Sequence, residues 1–411
     1  MKVLLPTSCF LPRLGGVEVG LHNIAKRLHA RGHTPVLVVP FGSFLKLRLR
    51  CYRFPYRILP LPPKIEWFLT GRGQRLFFLL EWYLLLLQGY YRFDVWHVTV
   101  GYPIGVAAVR VASKNRIPHL VRCVGADIQV DEARQYGFRR NPEVDQLVRY
   151  WLPKADALVA ISKTVEEEYR ELDIDKKKIT CIGNGVDLER FAKPVDRHEL
   201  RKTMAIPAGT FVLLSVGRYH PKKNFETVIR VAEVLKQWNA FPFRVLIVGE
   251  GTQILKPEVQ RCGLEEIVRI IVPQKSSHIS DELPSDELLA LYRLSDVFVF
   301  PSYIETFGIV LVEAMAAGLP IVTSDAPGCR DIIDNGRFGI MRSAADHHGI
   351  AGEIRRLYLD RSLRHRLVSL SRNRAAEFSW NEIVTRYITL YRILMTGTVD
   401  DEPTTIQQPH Q

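Results

Sequence analysis

The feature that most constrains this chain is an alternation. Short runs of consecutive apolar residues are each followed by a stretch with the helical period. Residues 3–6, 36–40, 95–98, 120–124, 157–161 and 179–182 form a first series of such runs. Residues 211–216, 244–248, 268–272, 297–300 and 320–323 form a second. A strand that is apolar on both faces must be covered on both faces, so each series predicts a parallel sheet between two layers of helices. Between the first two runs, Val17, Leu21, Ile24, Ala25 and Leu28 share one helical face, and Gly32 supplies a stop.

The expected architecture is α/β: two Rossmann-like domains facing each other across a cleft. Residues 1–196 form the first domain and 205–379 the second. The stretch 191–208 carries two prolines, many charges and little apolar pattern, and reads as the linker. A helical pattern over 380–396 stands apart from the second series, and residues 397–411 read as a disordered tail.

Composition removes several alternatives. With 411 residues and 47% hydrophobic content the chain can bury large cores. No apolar run approaches the roughly 20 residues a membrane-spanning helix needs, and the longest, 76–87, contains Glu81. The N-terminal residues run into Pro6 without the apolar segment of a signal peptide. Six cysteines are scattered without CxxC spacing, which argues against zinc or a disulfide framework and fits a reducing cytoplasm.

The most informative segment runs over 300–314. Glu305 follows the end of a strand, Thr306 is placed to cap the next helix, and Glu313 lies roughly two turns further on the same face. The amides of Phe307, Gly308 and Ile309 would open that helix as an anion site. A second segment, 216–224, ends the first strand of the second series, where open α/β sheets bind ligands. There Arg218 and Lys223 are suited to a diphosphate, Arg as a fork and Lys as a point charge. A third is the Gly15-Gly16 turn before the first helix, which admits close approach of a ligand but lacks the GxGxxG of a dinucleotide site.

Taken in order, these segments resemble the retaining glycosyltransferases of the GT-B fold, specifically family 4. The resemblance includes Gly15-Gly16-Val17-Glu18, Arg31-Gly32-His33, Asp94-Val95-Trp96-His97 and Gly125-Ala126-Asp127. It continues through Ala160-Ile161-Ser162, Gly183-Asn184-Gly185-Val186-Asp187, Gly217-Arg218 with Lys223, the Glu305/Glu313 pair and Pro327-Gly328. It implies a nucleotide-diphosphate sugar donor, UDP- or GDP-linked, held mainly by the second domain. Arg218 and Lys223 would hold the diphosphate, Glu313 the ribose hydroxyls and Glu305 the donor sugar. Gly16 would let the first domain close on the diphosphate. The helix after residue 380 would return to the first domain, which would take the acceptor, a glycan or lipid-linked glycan of bacterial cell-surface polysaccharide synthesis. No metal or other cofactor is expected. Two alternatives remain open from the residues: a nucleotide-sugar epimerase or hydrolase of the same fold, and a non-catalytic glycan- or nucleotide-binding module.

The chain departs from the family at Val124, where many relatives carry a histidine before Gly-x-Asp. Asp127 remains a candidate acceptor-site residue, and His97 is a candidate to compensate. Asp173-Ile174-Asp175 spells a DxD metal motif, but it adjoins Lys176-Lys177-Lys178 and reads as a solvated loop.

The formal net charge is +12, from 56 Lys and Arg against 44 Asp and Glu. Residues 44–92 hold nine of the basic side chains, two acidic ones and 12 aromatic residues, including Tyr52, Trp67 and Phe68. The stretch 76–87 reads as a helix packed on the first sheet. The remainder is expected to meet an anionic membrane surface, making the protein peripheral on the inner face of the membrane. Nucleic acid is not an expected partner.

Overall fold

In a computed structural model, residues 1–62, 77–273 and 282–397 are described. The tail from 398 onward, Trp67 and Phe68 lie outside them.

The first sheet contains β1 (Lys2–Pro6), β2 (Thr34–Val39), β3 (Arg57–Pro60), β4 (Val95–Thr99), β5 (His119–Arg122), β6 (Ala157–Ala160) and β7 (Ile179–Cys181). Their order is β3-β2-β1-β4-β5-β6-β7, and every pairing is parallel. The second contains β8 (Phe211–Val216), β9 (Phe243–Val248), β10 (Val268–Ile271), β11 (Val297–Phe300), β12 (Ile321–Ser324) and β13 (Ile340–Arg342). Its order is β10-β9-β8-β11-β12-β13, again all parallel. Strands β4 and β8 are buried at every position, the physical reason their sequences are dominated by apolar residues, with only His97 and Thr99 in β4 and Ser215 in β8 polar.

Strands β3 and β13 were not anticipated. Each is an outermost strand and only partly covered, so neither carries a continuous apolar run. Pro60 closes β3 at an edge, where a missing ladder donor is tolerated. The expected linker also contains structure. Helices Leu188–Ala192 and Arg197–Thr203 begin at Asp187 and Asp196, whose carboxylates accept the amides of Arg190, and of His198 and Glu199. Part of the charge that looked like solvated linker is helix capping.

The helix Trp380–Thr396 packs on the first sheet's side of the molecule. Trp380, Ile383, Val384, Tyr387 and Tyr391 share a buried cluster with Val3, Leu5, Leu21 and Ile24. Arg31 donates to the Asn381 carbonyl at 2.7 Å and to Thr385 Oγ1 at 2.9 Å. At the crossing, a Cβ on Gly185 would sit 2.6 Å from the Trp380 ring, so the chain there has room only for glycine.

The basic aromatic stretch divides around the β3 edge. Leu47, on the basic helix Phe41–Leu49, joins the cluster beneath the first and last helices. The helix Phe77–Tyr91 buries Phe77, Leu80, Leu84 and Leu87 in the cluster on the sheet's other face. Its outer side carries Phe78, Trp82, Leu86 and Tyr90, 52–79% exposed. Among the described residues no helix is long and apolar enough to cross a membrane.

Candidate active site

The site forms where the carboxyl ends of β8 and β11 face the first domain. At the switch from β8 to β11 the sheet order reverses, opening the crevice in which such sheets hold ligands. Arg218 follows β8, and a short turn, Pro221–Lys223, brings up two lysines. Asn224 ends that turn in the left-handed conformation. Its side-chain amide donates to the carbonyls of Pro301 and Ala344 at 2.9 and 2.8 Å, tying the turn to the loop after β11. Ser302 Oγ and the Tyr303 amide both donate to the Lys222 carbonyl, at 2.9 and 2.7 Å. Two separate loops are thereby locked in register.

That register brings Lys223 and Glu305 together as an ion pair, with side chains 17% and 13% exposed. The Thr306 amide donates to the other Glu305 oxygen at 3.2 Å. Burial alone would raise the Glu305 carboxyl, but the ammonium groups of Lys223 and Lys222 and these hydrogen bonds outweigh it and hold it below its ordinary value. Glu305 is therefore an anion poised between two cations. Gly328 makes this loop possible: its amide donates to the Glu305 carbonyl at 3.0 Å, and a Cβ there would lie 2.6 Å from the Thr306 carbonyl carbon.

Glu313 sits inside the helix Ile309–Ala316 and is 5% exposed. Burial pushes its carboxyl up to about 7, against the hydrogen bond from Tyr292 Oη at 2.8 Å and the more distant charge of Arg190. Glu305 lies in the loop before the helix and Glu313 inside it, but the helix begins later than Thr306 and Glu313 is little more than one turn into it. Gly308, at a φ of 87°, turns the chain into the helix only after Glu305 has passed. Thr306 does not cap it either; its hydroxyl instead donates to Gln129 Oε1 at 2.7 Å, across the cleft. The Phe307 ring is buried against Phe378, leaving its backbone at the helix entrance.

The first domain meets this face closely. A Cβ on Gly16 would lie 3.5 Å from Ile309 Cγ2, and one on Gly15 would lie 3.8 Å from Arg218 Nη1. Arg218 Nη1 is buried without a hydrogen-bond partner among the described residues. Glu18, 4% exposed, stands beside it; burial raises its carboxyl while its own backbone amide and Arg218 work the other way. Gly16, Arg218, Lys223, Glu305, Gly308 and Ile309 thus converge, with Glu313 one turn behind them.

Two expected residues take other places. His97 is fully buried in β4, its Nδ1 2.6 Å from Tyr391 Oη and its ring against Tyr387. Burial and the charge of Arg122 hold it well below its ordinary value, so it is a neutral packing group under the last helix and not a cleft residue. Asp127 is 2% exposed, and its carboxylate accepts the amides of Gly101, Val124 and Gly125 at 2.6–3.2 Å. It shapes the loop beside the cleft instead of presenting a free carboxylate to an acceptor. Asp175 of the DxD sequence accepts the Lys177 amide at 2.9 Å, a turn cap.

Sequence reasoning missed Lys222, Gln129, Tyr136 and Tyr292. Lys222 stood in a visible basic pair, but nothing around the other three distinguished them from ordinary loop or helix residues.

The geometry agrees with the relationships of the chain. The model of the group 1 glycosyl transferases matches residues 196–374, and that of glycosyltransferase family 4 matches residues 14–190. The N-acetyl-alpha-D-glucosaminyl L-malate synthase of Bacillus anthracis is 25% identical over 408 residues, covering 95% of this chain and 97% of that one. A glycosyltransferase structure from Rickettsia africae covers 97% of this chain and 99% of its own, with a TM-score of 0.77 and 18% identity. Anabaena HepE in complex with UDP covers 94% and 98%, with a TM-score of 0.73 and 20% identity. The two facing sheets are thus the GT-B fold, and the chain belongs to glycosyltransferase family 4.

Proposed function

We propose that this glycosyltransferase moves a sugar, with retention of anomeric configuration, from a UDP- or GDP-sugar to a glycan or lipid-linked glycan of a bacterial cell surface. The observation that carries this reading is the largely covered Lys223–Glu305 pair beside Arg218, with Glu313 one helical turn away. Arg218 and Lys223 meet the diphosphate, Glu305 the hydroxyls of the sugar, and Glu313 the vicinal hydroxyls of the ribose. The entrance of the helix Ile309–Ala316 adds amides and its dipole. Relatives are consistent with such a donor: one curated relative makes an N-acetylglucosaminyl product by its name, and HepE was solved with UDP.

In the reaction the anomeric C–O bond breaks and its electron pair stays on the leaving phosphate oxygen. The acceptor hydroxyl bonds to the same face of the anomeric carbon and gives its proton to that phosphate. Preorganised cations and amides stabilise the developing charge by about 3 kcal/mol per donor. Because Arg218 and Lys223 offset the diphosphate, transfer should proceed in a chelator.

The exposed row Phe78, Trp82, Leu86 and Tyr90, with the basic helix Phe41–Leu49 around the sheet edge, supports a membrane-facing first domain that would admit a lipid-linked acceptor. Incubating the protein with UDP- and GDP-sugars and extracted lipid-linked acceptors, with product configuration read by NMR, tests the proposal. Retained configuration is expected; inverted product, or nucleotide release independent of any acceptor, would contradict it. Trp82→Glu should weaken sedimentation with anionic vesicles, and unchanged sedimentation would remove the membrane element.

A further inference from the structure

The cations at the cleft are not all alike. Lys223 is paired within the second domain to Glu305, whereas the side chain of Lys222 ends on the first domain. Its backbone is clamped by Ser302 and Tyr303, and its Nζ lies 3.0 Å from Tyr136 Oη and 4.3 Å from the centre of that ring. Tyr136 is set in place by a small loop. Its backbone exchanges both hydrogen bonds with Asp131 at 2.9 Å. The next residue, Gly137, has a φ of 105°, and a Cβ there would lie 2.2 Å from the Gln129 carbonyl. The Tyr136 hydroxyl ends 3.0 Å from the point a Cβ on Gly125 would occupy, with Thr306 Oγ1 3.5 Å from the same point. Two domains therefore converge on this hydroxyl.

We propose that Tyr136 is a positioning residue of the reaction centre, whose hydroxyl fixes the Lys222 ammonium beside Glu305 as a third cation for the donor diphosphate. This rests on the nucleotide-sugar reading above. Burial and the nearby carboxylates keep Tyr136 a neutral phenol, which can accept from the ammonium. Burial and Arg218 lower Lys222, and Glu305 opposes them. A lysine side chain loses rotamer entropy when ordered. Tying Lys222 to the first domain removes part of that cost before the donor arrives, and makes the cation available only when the domains face each other.

The test is a double-mutant cycle on the affinity for UDP and for GDP, measured by calorimetry on the full chain. Tyr136→Phe keeps the ring over Lys222 and removes only the hydroxyl. It should weaken the nucleotide that binds by about tenfold, the loss expected for one charge-assisted hydrogen bond, with an unchanged melting temperature. Lys222→Met should lose at least as much, the double variant no more than Lys222→Met alone, and Lys222→Arg should recover part of the affinity. Tyr136→Phe binding as tightly as wild type, or losses that multiply in the double variant, would overturn the proposal and leave the donor reading intact. Wild-type protein that binds neither UDP nor GDP would overturn that reading, and this inference with it.

Discussion

The two walls of the cleft are made of different chemistry. The second domain offers ionised groups on short loops at the ends of β8 and β11: Arg218, Lys222, Lys223 and Glu305, with Glu313 behind them. The first domain offers glycine backbone and neutral polar side chains: Gly15 and Gly16, Gln129 and Tyr136. Its carboxylates near the cleft are turned inward, Asp127 onto three backbone amides and Glu18 into a buried corner, while Arg134 lies over the Tyr303 ring of the second domain. One wall is electrostatically prepared for a single polyanionic ligand. The other presents chiefly backbone and neutral polar groups, and leaves its recognition chemistry to loops that can differ from one acceptor to another.

That contrast can be broken most directly on the charged wall. Lys223→Ala leaves Glu305 without its closest cation and the leaving phosphate without a donor. Turnover should fall by roughly 10²–10³-fold, more than affinity for the donor, because the lost interaction grows as charge develops. A variant with wild-type turnover would remove Lys223 from the site.

Glu313 gives an intermediate effect with a pH signature. Its folded carboxyl titrates near 7, above the ordinary 4.5. Between these values the folded protein holds a proton that the unfolded chain has released. The stability this group contributes is thus complete below 4.5 and is lost as the pH rises through 7. Denaturant midpoints of Glu313→Gln should lack that decline. Ribose hydroxyls donate to the carboxylate form, so donor affinity of the wild type should rise through the same window, while Glu313→Gln binds about tenfold more weakly and without the pH dependence. Parallel pH curves for the two proteins would contradict the assignment.

The smallest effect belongs to the first domain's buried histidine, away from the cleft. His97→Gln should cost about 1–2 kcal/mol in unfolding free energy by disturbing the Tyr391 contact, with turnover at saturating substrate unchanged. A large loss of turnover with stability intact would place His97 back in the reaction.

The same contrast explains what could be read from the sequence. Central strands were legible because burial on both faces writes an unbroken apolar run. The edge strands β3 and β13 carry no such run, and β3 ends in a proline. Arg218, Lys223 and Glu305 stood out because charged residues follow strand ends in apolar surroundings, and Glu313 because it is the one acid in an otherwise apolar helix. Tyr136 did not. It reaches the cleft through a left-handed glycine and a two-residue bridge to Asp131, and lies 86 positions from the lysine it touches. His97 misled for the opposite reason: a histidine near a strand end looks functional until the last helix, some 290 residues later in the chain, is seen to cover it.

The central claim is that the second domain grips a nucleoside diphosphate through Arg218 and Glu313. Calorimetric titration of the wild type, Arg218→Ala and Glu313→Ala with UDP and with GDP tests it most directly. The account predicts saturable binding of one of the two nucleotides to the wild type and affinity reduced by about tenfold or more in each variant. Binding of neither nucleotide by the wild type, or equal affinity in all three proteins, would contradict it.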